Sequence, residues 1–558
     1  MKKLPNGISN YEELIEDGYL YVDKTMYIEK MEKLSDKRIM FLRPRKFGKT
    51  LFTSVLENYY DVRKVDKFEK LFGETYIGKN PTENKNKYHI LRFNFSGIDT
   101  ETEETTIRGF KNKTTASIRQ FINFYGIDFY INEQEDAESI LYDLFIAFST
   151  QKKGEKIYVM IDEYDHFANE LLGFHTEHFK ALVSKNGKVR KWYEILKQGT
   201  ETVVDRIFIT GVAPITLDSL TSGFNISKDI TQDAEFNEMM GFTKKELVKI
   251  LDKQQIPEKE QEEILPIMKE NYDGYKFSED AEGQIYNSNM CLYFLSDYIR
   301  LQKIPTKLID VNIASDYSKM GRMLDLCKGE QKTEIIGKTI SGEGIITNIV
   351  QKFNPAIEFT ETDMISMLFY LGYLTIQDKL LETPKLVIPN RVMKEIYSDY
   401  FLANVKKELQ LEINEEYPII ANDIATEGNI NRIVELLHTY LKNLSNRDFM
   451  KFDEKYVKIL FYSIAMNIGF FRIKSEMEVQ RKYPDLLLIP KRDQEKYYGV
   501  MIEFKYLKKE QANQLQEIQE EARKQIQEYS EFEEIKAIPN LRKYTIVAVV
   551  DEIYVEEV

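Results

Sequence analysis

The chain has 558 residues and a formal net charge of −14, from 77 Lys and Arg against 91 Asp and Glu, which excludes a chain coated in nucleic-acid-binding surface but leaves room for a local basic groove. With 43% hydrophobic and 30% charged residues it is too apolar to be disordered, and no apolar run approaches the roughly 18 residues needed to cross a bilayer. Two cysteines, Cys291 and Cys327, and five histidines exclude a disulfide framework and a Cys- or His-rich metal centre, and their scarcity fits a reducing cytoplasm.

In chain order, the start carries positive charge with no hydrophobic region behind it, so no signal peptide is expected. The apolar run 39–42 ends in a Gly-containing loop. Residues 89–95 alternate apolar and polar, 138–148 read as a helix, and 157–161 form a fully apolar strand ending in acids. His175 and His178 are expected on a surface helix rather than at a metal. Another strand is expected at 206–211. Strand and helix in alternation predict an α/β domain over 1–240, with a mainly parallel sheet covered on both faces. From 241 to 446 helical patterns dominate, at 244–253, 260–271 and 362–371, interrupted by strand-like 373–376 and 385–389. A helical connector with a winged-helix-like part is expected there. From 447 to 558 the order is a helix at 453–466, strands at 469–473, 483–489 and 497–504, a polar helix at 511–529 and a closing strand at 544–550. That is a second α/β core.

The loop Arg43-Pro44-Arg45-Lys46-Phe47-Gly48-Lys49-Thr50 follows the first strand and opens a helix. Backbone N–H groups at a helix start point at an anion, Lys49 can reach the β- and γ-phosphates of ATP, and Thr50 can hold Mg²⁺. Arg43 stands where the phosphate-loop pattern has its first Gly. About 110 residues on, the strand 157–161 ends in Asp162-Glu163-Tyr164-Asp165. There Asp162 would orient Mg²⁺ and Glu163 would polarise the attacking water. Thr210, at the end of the next strand, is the candidate for touching the γ-phosphate. Arg43, Arg45 and Arg206 are the candidates for offsetting transition-state charge, and Arg45 is counted with Gly48, Lys49, Thr50, Asp162 and Thr210 as nucleotide-binding.

Near the other end, Tyr483-Pro484-Asp485 begins a strand, and a second strand ends in Glu503-Phe504-Lys505. Alternate strand residues share a face, so Glu503 and Lys505 point the same way, and an antiparallel hairpin brings Asp485 beside them. Two carboxylates and an ammonium suit phosphodiester hydrolysis: Asp485 and Glu503 hold Mg²⁺ or Mn²⁺, and Lys505 positions the nucleophile. Gln525 and Tyr529, four apart on the next helix, share one face.

These pieces, with Tyr21-Val22-Asp23-Lys24-Thr25, Thr210-Gly211-Val212, Ser222-Gly223-Phe224-Asn225-Ile226 and Asp273-Gly274-Tyr275, resemble the AAA-ATPase-like proteins of bacteria and archaea that carry a C-terminal PD-(D/E)XK nuclease domain. The resemblance implies an AAA/ASCE-like P-loop NTPase sheet and a C-terminal αβββαβ nuclease-like core. It implies that Glu454 is a further acidic metal ligand and that Gln525 and Tyr529 form an accessory nuclease motif, and it leaves residues 21–25 either near the nucleotide base or as a structural N-terminal segment. The stretch Val479-Gln480-Arg481-Lys482 departs from the Gly- and Arg-rich pattern of relatives, leaving Arg481 and Lys482 for phosphate contacts.

The function expected is an ATPase coupled to metal-dependent cutting of nucleic acid, DNA before RNA, in the cytoplasm, away from membranes, in a chain able to form a homo-oligomer. Defence against foreign nucleic acid is the role the resemblance suggests. The alternative is a nucleotide-dependent switch or scaffold whose nuclease fold binds without cutting. A translocating motor is disfavoured, because the chain has no second ATPase core and no basic, aromatic-rich tracking stretch.

Overall fold

The computed structural model describes residues 2–166, 187–215, 227–305, 307–309, 321, 329–353, 360–411, 415–445, 454–474, 484–491 and 493–558. His175 and His178, Cys327, the stretch 222–226 and the stretch 479–482 lie outside the described residues. The chain divides into two compact units, one of Met1–Cys327 with Ile346–Asn390 and one of Lys328–Ile345 with Arg391–Val558.

The first unit is built on a five-stranded sheet of β1 (Arg38–Leu42), β2 (Tyr88–Asn94), β3 (Lys156–Asp162), β4 (Val204–Gly211) and the two-residue β5 (Lys228–Asp229). The strands lie in the order β2-β3-β4-β1-β5 and all pair in parallel. β4 is therefore inserted between the strand that feeds the Gly-Lys-Thr loop and the strand that ends in acids, which is the order of a P-loop fold with an added central strand. β3 is buried at all but its first residue, as a strand covered on both faces must be. Helix Lys49–Tyr60 packs on β2 and β3, and helix Glu103–Tyr125 packs on β2. Trp192, on helix Lys188–Gly199, is fully buried, with Phe93, Phe95 and Phe110 edge-on to its ring at 4.9–5.6 Å.

The same unit continues through helices Lys244–Lys253, Glu258–Tyr272 and Ser288–Leu301. Thr243 and Glu246 form a capping box at the first of these, satisfying N–H groups that the helix start leaves free. After the two-residue strand β6 (Ile345–Ile346), at which a unit boundary falls, helix Glu361–Tyr370 leads into an antiparallel hairpin of β7 (Thr375–Leu380) and β8 (Thr383–Val387).

The second unit holds helices Gly329–Ile340, Arg391–Leu409, Tyr417–Glu427, Asn431–Ser445 and Glu454–Asn467 around a second sheet. Its strands are β9 (Phe471–Lys474), β10 (Leu486–Pro490), β11 (Gly499–Leu507), β12 (Leu541–Val549) and β13 (Glu552–Glu557), in the order β13-β12-β11-β10-β9. β9, β10 and β11 form an antiparallel meander, and β12 joins β11 in parallel after helix Leu515–Ser530. Helix, three strands, helix and strand give the expected αβββαβ order. β13 is an addition that the sequence reading did not contain: Asp551 turns the chain and Glu552–Glu557 pairs antiparallel with β12. Its exposed acids Glu552 and Glu557 blunt an edge that would otherwise pair with another chain.

Candidate functional site

At the end of β1 the chain enters the loop whose last residue, Gly48, caps helix Lys49–Tyr60 with φ of 95°. A residue without Cβ is needed to hold that conformation. Arg43 is no loose substitute for a Gly. It is 1% exposed, and its guanidinium donates to the carbonyl oxygens of Leu42, Thr231, Phe236 and Asn237 at 2.9, 2.8, 3.1 and 3.3 Å. Phe41 and Phe277 stack on it at 4.1 and 4.3 Å, and burial pushes its pKa down to about 9. Arg43 thus anchors the loop and is unavailable to a phosphate. Arg206 is likewise a sheet residue: its Nε donates to the Tyr88 hydroxyl at 3.3 Å.

Phe47, at the loop's turn, is buried edge-on to Tyr275 at 5.0 Å and Phe277 at 5.6 Å. The Asp273-Gly274-Tyr275 segment therefore acts as a prop for the loop. Gly274 has φ of 97°, and a Cβ there would stand 2.0 Å from the Pro389 carbonyl oxygen. The Lys49 ammonium donates to the carbonyl oxygens of Arg43 and Pro44 at 3.0 and 3.1 Å.

A cavity of about 500 Å³ opens over the loop. Arg45, Gly48, Lys49, Thr50 and Glu163 are among its polar lining, and Tyr21, Val22, Met239, Met240, Phe242 and Leu292 supply apolar wall. A helix start that can bind an anion and an apolar wall in one cavity suit a ligand with both phosphate and base, as a nucleotide has. Asn94, the last residue of β2, Ser96 just past it, and His166 also line it; the sequence reading did not select them, because nothing in one strand's text shows which neighbouring strand ends flank a loop.

Asp162 is fully buried at the end of β3, with Oδ2 at 3.3 Å from the Arg92 guanidinium. Burial and the charge of Glu163 raise its pKa, while Arg92, Lys49 and the Thr50 hydroxyl pull the other way. Its Oδ1 is buried without a hydrogen-bond partner among the described residues, a donor set that fits a cation beside Thr50. Thr210 does not line the cavity. Its hydroxyl donates to the Phe41 carbonyl oxygen at 2.9 Å, inside the sheet. Asp165, quoted in the motif but given no role, accepts from the backbone N–H of Val212 (3.0 Å) and Ala213 (2.7 Å) and so ties the loop after β3 to the segment after β4.

In the second unit, the β10–β11 register pairs Leu486 with Ile502. One residue further, Asp485 falls opposite Glu503, and its Oδ2 accepts from the Phe504 N–H at 2.9 Å. Glu503 is 3% exposed, with Oε1 at 3.3 Å from the Lys505 ammonium and Oε2 buried without a partner among the described residues. The structure therefore brings Asp485, Glu503 and Lys505 together. Burial, then the charge of Asp485, raises the pKa of Glu503, and burial raises that of Asp485 against the pull of Lys458 and Lys505. A buried carboxylate oxygen with no donor, between a second carboxylate and a lysine, fits a divalent cation.

Two residues of this cluster were missed. Lys458, one turn along helix Glu454–Asn467 from Glu454, reaches Asp485 Oδ1 at 2.8 Å and Glu454 Oε1 at 3.0 Å. Glu521, on helix Leu515–Ser530, lies 3.7 Å from the Lys505 ammonium and accepts from Gln525 Nε2 at 3.5 Å. The available signal was spacing by four: Glu454 to Lys458, and Glu521 to Gln525 to Tyr529, are rows on a helix face. Among the described residues, Glu454 is joined to Asp485 through Lys458. Tyr529, at the far end of its row, packs into the core with Leu487, Ile489, Met501 and Ile526.

Residues 5–221 match the family described as "Predicted AAA-ATPase", and residues 452–557 match the PD-(D/E)XK nuclease superfamily. A protein described as "Uncharacterized protein in vnfD 5'region", from Azotobacter chroococcum mcd 1, is 26% identical over 291 residues, covering 51% of this chain and 50% of its own length. The chain thus spans about half the length of that curated relative. No helix among the described residues is long and apolar enough to cross a membrane.

Proposed function

We propose that this chain, with an AAA-ATPase-like domain over 5–221 and a PD-(D/E)XK nuclease superfamily domain over 452–557, is a nucleotide-controlled, metal-dependent nuclease. The observation that carries the reading is the convergence of Asp485, Glu503 and Lys505, with Glu503 Oε2 buried and unpartnered. Asp485 and Glu503 would hold Mg²⁺ or Mn²⁺, which supplies a polarised water and offsets charge on the phosphate. The Lys505 ammonium orients that water and the phosphate oxygens. Gln525 holds Glu521, and through it the Lys505 ammonium, in place. At the other site Gly48, Lys49 and Thr50 take the phosphates of ATP, Asp162 the water shell of its Mg²⁺, and Glu163 the attacking water. The reading divides the chain into an ATPase part over 1–240, a connector over 241–446 and a nuclease part over 447–558, acting on DNA in the cytoplasm. A nuclease held under nucleotide control suits defence against foreign nucleic acid.

The test is incubation of the purified chain with single- and double-stranded DNA and RNA, with Mg²⁺ or Mn²⁺, with and without ATP. Metal-dependent cutting is expected, lost in the Asp485→Ala, Glu503→Ala double variant and in Lys505→Ala, while Gln525→Ala lowers the rate without abolishing it. Robust cutting by the double variant overturns the assignment. ATP should raise the melting temperature of the parent, since a ligand held only by the native state stabilises it, by about 2.7 kcal/mol at about 100 Kd. An equal shift in Lys49→Ala misplaces the nucleotide. The ion pair of Lys458 with Asp485 favours a second reading, a nuclease fold that binds without cutting. It predicts nucleic-acid binding with no cleavage under any metal.

A further inference from the structure

We infer that the acid cluster of the second unit takes one divalent cation and not two, because the Lys458 ammonium occupies the place of the second. The inference rests on the metal-dependent reading above. Lys458 Nζ lies 2.8 Å from Asp485 Oδ1 and 3.0 Å from Glu454 Oε1, so it fills the space between these two carboxylates that a cation bridging them would need. Its side chain is 20% exposed and that of Asp485 7%, so the pair sits inside the site rather than on a solvated rim.

The charges of the cluster agree. Glu454, Asp485, Glu503 and Glu521 are four carboxylates, and Lys458 and Lys505 two ammonium groups. Fully ionised, they leave two negative charges, which one divalent cation neutralises. A second divalent cation would reverse the sign and stand beside the like charge of the Lys458 ammonium. The oxygen left without a partner among the described residues is Glu503 Oε2, and Asp485 Oδ2, which accepts one bond, from the Phe504 N–H, can share a cation with it. Lys458 is thus a positioning residue. It fixes the orientation of Asp485 and takes Glu454 out of the ligand set.

Mn²⁺ bound per full-length chain, measured by equilibrium dialysis without nucleotide, tests this. The Asp485→Ala, Glu503→Ala variant supplies the background from any cation held elsewhere. The parent should bind one Mn²⁺ above that background. Lys458→Met and Lys458→Gln should bind two, and Lys458→Arg, which keeps the cation, one. Replacing Glu454 in the Lys458→Gln background (Glu454→Gln) should return the number to one. A melting curve identifies variants that have lost the fold, and the Arg and Gln variants keep the test open if Met does not fold. Two Mn²⁺ in the parent, or one in folded Lys458→Gln, overturns the inference while leaving the metal reading intact. No Mn²⁺ above background in the parent overturns both.

Discussion

Glu163 follows Asp162 directly and adopts φ of 52°, a left-handed conformation that is costly for a residue with a Cβ and is held only when the surroundings demand it. The turn sends Asp162 into the sheet end and leaves Glu163 on the wall of the cavity. Under the proposed reading, a carboxylate in that place would act on the attacking water more than on bound phosphate. Glu163→Gln is therefore expected to keep ATP affinity within about threefold and to lose turnover by about a hundredfold or more, read by nucleotide titration and phosphate release. Unchanged release would assign the role elsewhere. At this scale the sequence was most legible where chemistry and local spacing coincide. Glu503 and Lys505 share a face because strands alternate, and Asp485 joins them because a hairpin has one register that buries Leu487 and Met501. Lys458 and Glu521 were hidden because their roles depend on which helix covers which end of the sheet. Thr210 ends a strand as expected, yet its hydroxyl is used by the neighbouring strand, a choice that alternation alone does not reveal.

Among the elements, the parallel sheet was legible from buried runs ending in acids or Gly, and the helices between them from apolar spacing. What was not legible was how strand ends are tied together. Asp165 makes one such tie, across from β3 to the backbone of Val212 and Ala213. It is fully buried, and burial followed by the charge of Glu163 raises its pKa to about 6, against the pull of those N–H groups. A carboxyl raised in the folded state favours folding most when protonated. Its contribution is complete below the ordinary pKa of 3.8 and is lost as pH rises through about 6. Asp165→Asn, which does not ionise and keeps an acceptor oxygen, should therefore gain on the parent as pH rises from 4 to 6, by roughly 2–3 kcal/mol at most, and hold that gain above. Melting temperatures of both proteins across this range read the difference. A variant that loses ground as pH rises would mean that the N–H groups hold the charged form and that the sign is wrong.

For the whole molecule, the division into units is the feature that composition and local pattern conveyed least. A change from strand-rich to helix-rich text was visible near 241, but the chain passes between the units at 327/328, 345/346 and 390/391, and segments far apart in sequence close each unit. Under the proposed reading, nucleotide state would reach the acid cluster through these three covalent crossings. Such a route works only if ATP has different affinities for two states of the chain, and by linkage any effect of ATP on metal affinity must be matched by an equal effect of metal on ATP affinity. The control proposed here acts on cutting rather than on metal binding. Lys49→Ala and Glu163→Gln should therefore change the rate or the ATP dependence of cleavage, while Mn²⁺ affinity at Asp485 stays within about twofold of the parent and ATP affinity of the parent is unmoved by Mn²⁺ at the second site. Cleavage and Mn²⁺ titration on the same preparations check both halves. If cutting by both variants follows the parent with and without ATP, the two sites work independently, and the chain joins two activities without coupling them. If instead Lys49→Ala shifts Mn²⁺ affinity tenfold, nucleotide acts on the acid cluster itself, and the states that ATP distinguishes must differ in how Asp485 and Glu503 are held.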